Sequence, residues 1–516
     1  MPTAVKDRMN SYRSFAMIAA ARGFCMSACL AVLALSGCDD KAEPSTPRQK
    51  ARPTARNVVL IVVDTLRADK LGCYGNSLGL TPKIDKLAEE GFRFDFAYAH
   101  APWTLPSTAS LLTSAYPQQH GAGGSNGEFD KFTGINKDVR TLAECFWSQG
   151  YDTAAIVNVL FLAPKFGLNR GFDTYDFQQQ GASQANDRKA TEVTDWAINW
   201  MKEHGKSKDG RPFFLLVHYF DPHLQYDPPE KFRQKYALPE DKTADPTLFG
   251  SAADMLKFRA GGIPVDQIPL KRLEALYNGE IAYTDEEIGR LLGEMKKMSL
   301  DENTVVVLTS DHGEEFFDHG GYEHGHTLYD EMIRVPLIIR SKGDLKPGFS
   351  VRNVGHIDVA PTLCSLADVA PESIFQGRDL VTLMRESKLE KDEPVFSQGN
   401  MWGGMLRAYR DGRFKLIKRP VARELYNILG DPMEKKNLCG DADFSAKCDE
   451  YETLLDDFGV KIGTRPGINV ALTKDEENQA IKGGYAGGKK SASGNPDADV
   501  EAGDAATSQP ADGSKS

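Results

Sequence analysis

A chain of 516 residues with 41% hydrophobic residues, 5 Trp and 17 Tyr has enough apolar side chains for one large domain and a smaller one. Its formal net charge of −11 argues against non-specific nucleic-acid binding as its main task.

Residues 1–37 read as a targeting segment, not as part of the fold. Lys6, Arg8, Arg13 and Arg22 make a positive region, and Phe24 to Leu35 is an apolar run too short to span a bilayer. Leu35-Ser36-Gly37-Cys38 resembles a bacterial lipobox, cleaved before a lipidated cysteine. Several acyl chains on Cys38 would anchor the protein stably to a membrane. The expected location is the bacterial cell envelope, on its periplasmic or extracellular face. Residues 38–56, rich in Pro, Thr and Arg, read as a tether. No other segment reads as transmembrane. Of the remaining cysteines, Cys439 and Cys448 flank a short polar loop and are the pair expected to bridge in an oxidising compartment.

Val58 to Val63 is wholly apolar, the pattern of a strand buried on both faces, and it ends at Asp64. Thr81 and Pro82 open a helix as N-cap and first residue, and Gly91 ends it. Pro102 and Pro106 force a turn, after which Ser107-Thr108-Ala109 start a helix that packs Leu111 and Leu112 inward. Thr104, just before that helix, lies among free N–H groups that suit an anionic ester, so it is a candidate nucleophile. Lys189 to Lys202 has helical spacing, and Phe213 to Val217 is a buried strand delivering Asp221 and His223. Pro228 to Val265 reads as a polar insertion at the mouth of the pocket. Ile268 to Met298 is a long amphipathic helix on which Asp285 and Glu286 are surface or capping groups.

Thr304 to Thr309 is a second apolar strand, ending at Ser310-Asp311-His312-Gly313. Ligands gather at the C-terminal ends of strands in open α/β sheets, and a carboxylate beside an imidazole suits a divalent metal. Asp318, His319, His324 and His326 follow before the next strand, Val335 to Ile339. Beyond Glu393 short alternating runs, with a hairpin signal at Asp411-Gly412, give a small antiparallel sheet closed by a helix from Phe444 to Phe458. Residues 486–516 read as a disordered tail.

Asp64, the Thr104 to Ser114 segment, Tyr116-Pro117 with His120-Gly121, and Thr309 to Gly313 with Arg334-Val335-Pro336 stand in an order that resembles the sulfatase family. Further matches run from Leu142-Ala143-Glu144 to Asn437-Leu438, so the likeness spans most of Val58 to Tyr485. That family belongs to the alkaline-phosphatase superfamily. The resemblance implies an α/β fold whose large catalytic domain, residues 57–392, has a mostly parallel central sheet sandwiched by helices. Residues 393–485 would form the small antiparallel-sheet subdomain. It also implies that Asp64, Thr104, Asp311 and His312 hold one divalent metal ion, with the Thr104 hydroxyl shared between metal and substrate. His223 and His326 would clamp the substrate and protonate the leaving oxygen, leaving His218 and His324 as capping or supporting groups.

Two departures matter. Sulfatases carry at the nucleophile position a Cys or Ser that becomes formylglycine, with Arg four residues later; here stand Thr104 and Thr108. Threonine cannot form formylglycine, because its Cβ already bears a methyl group. Related phosphoethanolamine and phosphoglycerol transferases and nucleotide pyrophosphatases use an unmodified threonine. Thr65 stands where sulfatases often carry a second acid, which moves the metal preference from calcium toward zinc or manganese. The expected function is a metal-dependent hydrolase cleaving phosphate or sulfate esters of a glycan or lipid through Thr104. The alternatives are a phosphoglycerol- or phosphoethanolamine-type transferase acting on envelope glycans or lipids, and a catalytically inactive binding lipoprotein.

Overall fold

The computed structural model describes residues 48–482, apart from 53, 126–127, 179–187, 207–208, 237–268, 387–391, 400 and 402–403. The expected targeting segment, the expected tether up to residue 47 with Cys38, most of the expected insertion and the expected tail lie outside the described residues.

Eight strands form the central sheet: β1 (Asn57–Val63), β2 (Phe92–Tyr98), β3 (Asp152–Val157), β4 (Thr174–Phe177), β5 (Phe213–Tyr219), β6 (Thr304–Ser310), β7 (Arg334–Ser341) and β8 (Gly348–Gly355). Their order is β8-β2-β7-β6-β1-β5-β3-β4, and only β7 runs against the rest. The expected mostly parallel sheet is therefore present. Every residue of β1 and β6 is buried. Val58, Leu60 and Val62 pack into the core on one face, while Val59, Ile61 and Val63 pack into the core on the other. Both sides of the strand are covered, which is why its sequence shows no polar alternation.

Helices α1 (Pro82–Glu90), α2 (Thr104–Thr113), α3 (Leu142–Ser148), α4 (Ala190–His204), α5 (Leu270–Lys297) and α6 (Val359–Leu366) cover the sheet. The α1 cap differs from expectation. Thr81 makes no capping bond; its hydroxyl accepts from Gly72 N and donates to Asp85. The backbone N–H groups of Lys83 and Ile84 instead donate to Asp285, at 3.0 and 2.8 Å, so a carboxylate on α5 caps the helix from across the packing interface. Helix α2 also begins three residues before the expected Ser107, making Thr104 its first residue.

Strands β9 (Val395–Gln398), β10 (Arg407–Arg410), β11 (Phe414–Lys418) and β12 (Arg423–Asn427) form an antiparallel meander, the expected small sheet. Helix α7 (Ser445–Ile462) packs on it through Cys448, Tyr451 and Leu455, and a disulfide joins Cys439 to Cys448. The chain then leaves this unit: Ile468–Val470 pairs with Glu128–Gly134 of the large domain. Residues assigned to the tether also dock. Arg48 bridges Asp152 and Asp173, each at 3.1 Å, so the chain is already packed on the large domain at residue 48.

Candidate functional site

Register places the ends of β1 and β6 side by side, Val63 opposite Ser310, so Asp64 and Asp311 leave the sheet together at its C-terminal edge. Asp311 Oδ1 accepts from Thr65 N at 3.2 Å and His312 N at 2.9 Å. Its Oδ2 and both carboxylate oxygens of Asp64 are buried with no hydrogen-bond partner among the described residues. His312 Nε2 lies 3.7 Å from Asp64 Oδ1 and 3.5 Å from Asp311 Oδ2. His312 Nδ1 donates to the Gly313 carbonyl at 2.9 Å, which fixes the tautomer and leaves the Nε2 lone pair for the site.

The ligand atoms of these three residues lie within 4.8 Å of one another. Buried carboxylate oxygens without partners are costly unless a cation meets them, so this donor set fits a divalent metal ion. Burial, with Asp311 and Glu314 adding repulsion, raises the Asp64 carboxyl well above its ordinary range in the cation-free chain.

Thr104, fully buried, sets its Oγ1 3.4 Å from His312 Nε2. It is the first residue of α2, whose N-cap residue Trp103 makes no side-chain capping bond; Pro106 has no N–H and Ser107 N donates to the Trp103 carbonyl, so the N–H groups left at that end are those of Thr104 and Leu105. Thr108, one turn on, is buried with its hydroxyl unpartnered. Thr65 adopts φ +54°, a costly conformation for a β-branched residue, and its hydroxyl is likewise unpartnered and buried. The Tyr277 hydroxyl holds the Thr65 carbonyl at 2.6 Å.

The histidines divide between the site and the loop beside it. His223 is at the site and donates Nδ1–H to the Leu224 carbonyl at 2.6 Å; burial pushes its pKa down to about 3. His326 is held away from it by Glu315, Nε2 to Oε2 at 2.8 Å. The imidazole that meets His312 and His223 is His324, with ring centroids 4.5 and 4.9 Å away. His324 Nδ1 pairs with buried Glu314 at 3.1 Å, and the Tyr226 hydroxyl donates to the other Glu314 oxygen at 3.1 Å. His218, expected as a supporting group, points Nε2 at Asp64 Oδ2 across 3.6 Å, its pKa pushed down to about 4 by burial. Glu314 and Tyr226 were not singled out in the sequence. The available signal for Glu314 was its place two residues past His312.

The loop between β6 and β7 carries His312, His324 and His326, and the small sheet grips it from outside. Lys415 of β11, fully buried, bridges Asp330 Oδ1 and Glu434 Oε1, each at 2.9 Å, and Arg410 stands 3.7 Å from Asp330 Oδ2. Tyr329 donates to Glu424 at 2.7 Å, and Met401 N donates to the Gly325 carbonyl at 2.7 Å. Gly313 passes so close to the Glu331 carbonyl that an added Cβ would lie 2.0 Å from it. Only glycine allows that crossing.

Comparison with known proteins agrees with this geometry. The sulfatase family profile matches residues 56–369, and an N-sulphoglucosamine sulphohydrolase C-terminal profile matches residues 317–459. The N-acetylglucosamine-6-O-sulfatase of Bacteroides thetaiotaomicron is 26% identical, the match covering 83% of this chain and 89% of that protein. The uncharacterized sulfatase YidJ of Escherichia coli is also 26% identical, over 78% of this chain and 86% of its own. Among solved structures, the phosphonate monoester hydrolase of Agrobacterium radiobacter superposes with a TM-score of 0.63 at 21% identity, covering 81% of this chain and all of that one. A complex with the substrate D-glucosamine-2-N,6-O-disulfate superposes with a TM-score of 0.64 at 23% identity, covering 79% and 98%. With its mostly parallel sheet and a family match over more than half its length, the chain belongs to the sulfatase family of the alkaline-phosphatase superfamily.

Proposed function

We propose that this protein is a metal-dependent hydrolase of anionic esters in which Thr104 is the nucleophile. The observation that carries the reading is the buried group of Asp64, Asp311 and His312 with unpartnered carboxylate oxygens, and the Thr104 hydroxyl against it. Asp64, Asp311 and His312 would hold the cation, zinc or manganese before calcium because one ligand is an imidazole. A bound cation would lower the hydroxyl pKa of Thr104 and offset charge on the transferred group. Thr104 Oγ1, its proton given up to solvent, attacks the central phosphorus or sulfur in line, the bond from that atom to the leaving oxygen breaks, and a threonine ester remains for water to cleave with the threonine oxygen leaving. The α2 N-terminus supports the non-bridging oxygens. His324, oriented by Glu314, supplies the proton to the leaving oxygen, with His223 beside it.

The glycan sulfatases among the relatives support a sulfated or phosphorylated sugar as substrate. Threonine at 104 favours phosphoryl over sulfuryl transfer, because the formylglycine route is closed to it. We also place the protein at the cell envelope, anchored through a lipidated Cys38, on its N-terminal sequence. The test is turnover of a panel of sulfate monoesters, phosphate monoesters and phosphate diesters by metal-loaded wild type and Thr104→Ala. Loss of turnover with retained metal is expected. Unchanged turnover in the variant, or no stoichiometric metal in active wild type, overturns the reading.

A further inference from the structure

Ser107 lies one turn beyond Thr104 on the same face of α2 and is fully buried. Its hydroxyl donates to the backbone carbonyl of Asp311, and His356 Nδ1 stands 3.2 Å from the same Oγ. A serine hydroxyl has one proton, and the carbonyl takes it. The bond to His356 therefore runs the other way, Nδ1–H into the Ser107 lone pair. His356 follows directly on β8, so three elements with no covalent neighbourhood meet at one oxygen: the nucleophile's helix, the metal-ligand end of β6 and the end of β8. Ser310 makes a parallel tie within the ligand turn, accepting from Leu66 N at 2.9 Å and donating to the His312 carbonyl. It does not reach α2, so Ser107 adds what Ser310 lacks.

We propose that Ser107, held by His356, is a positioning residue that locks the Asp311-His312 turn to α2 and so fixes the distance between the cation and Thr104. The proposal rests on the functional reading above. Groups that orient metal ligands typically change metal affinity or activity 10–100-fold when removed. An error of about 1 Å in a reacting group can cost about 100-fold in rate.

The test uses the full chain, stripped with chelator and titrated with Mn²⁺ and with Zn²⁺ by calorimetry, beside steady-state kinetics at saturating cation and thermal unfolding. For Ser107→Ala we expect cation affinity to fall about 10–100-fold and kcat to fall with little change in KM. His356→Gln should fall in the same direction, and adding it to Ser107→Ala should cost nothing further. His356→Asn, whose amide nitrogen takes roughly the place of Nδ1, should recover most of the loss. His356→Gln also carries the test if Ser107→Ala does not fold. A lowered unfolding temperature with cation affinity and kcat unchanged overturns the proposal, as does full additivity of the two substitutions. Wild type that binds no divalent cation sinks the functional reading itself. Wild type that binds one, beside a Ser107→Ala chain that binds it equally well, sinks only the role of Ser107.

Discussion

Asp64→Asn should make the protein more stable without metal and less stable with it. Both oxygens of the Asp64 carboxylate are buried and unpartnered, and His218 and His312 stand 3.6 and 3.7 Å away. An unmet buried polar group costs about 1–3 kcal/mol, and more when charged. Asparagine remains an unmet polar group but removes the charge at almost the same volume, so wherever Asp64 is ionised the variant in chelator should exceed wild type by about 1 kcal/mol, the excess of a charged over a neutral group. With cation at about 100 times its dissociation constant, wild type gains about 2.7 kcal/mol and the variant, short of a ligand, gains far less. The order of stabilities should therefore invert. The pH dependence follows from the raised carboxyl of Asp64. The cation-free native state binds a proton there more tightly than the unfolded chain, so wild-type stability falls as pH climbs from the ordinary carboxyl range through the raised value. The gap between the two chains in chelator should open on that climb and close in acid. Urea denaturation in chelator and in excess Mn²⁺, at two pH values, measures all of this. A variant less stable than wild type in chelator near neutral pH, or one that gains as much from metal, would refute the reasoning.

The histidine assignment predicts that His324→Ala lowers kcat by about 10²–10⁴-fold, the range for losing a general acid. His326→Ala should cost less and act through the loop that Glu315 organises; steady-state kinetics on a shared substrate ranks the two. Lys415→Met leaves Asp330 and Glu434 buried against each other and should destabilise the protein by about 3–5 kcal/mol, with part regained on adding Glu434→Gln. Urea midpoints measure both steps. Replacing Cys439 and Cys448 by serine opens a loop of sequence separation 9 and should cost about 2–3 kcal/mol, seen as earlier proteolysis of α7 under limited trypsin treatment.

The candidate metal-binding edge was legible because strand ends advertise themselves. Apolar runs at Val58–Val63 and Thr304–Thr309 stop on Asp64 and Asp311-His312, and a parallel sheet leaves those residues on one edge. That His324, and not His326, packs against His312 was not legible. Two residues apart on a regular strand they would share a face, but Glu323 at φ +68° and Gly325 at φ +87° break the alternation. The α1 cap was hidden for a different reason. Thr81 satisfies every local rule, and a carboxylate some 200 residues away does the work, a partner that no local window contains. The burial of Lys415 was hidden too, because its partners Asp330 and Glu434 lie on segments outside its strand.

That docking bears on how the protein can be divided. A chain cut after Asp392 would keep Asp64, Thr104, Asp311 and His312 while stripping Lys415, Glu434 and Glu424 from the loop that bears His324. Asp330 and Tyr329 would lose the Lys415 ammonium and the Glu424 acceptor that hold them, and the loop bearing His324 would be left without its outer wall. The two units therefore cannot be exchanged between relatives as independent modules. A chimera would need the rows facing each other across that seam to be transplanted together.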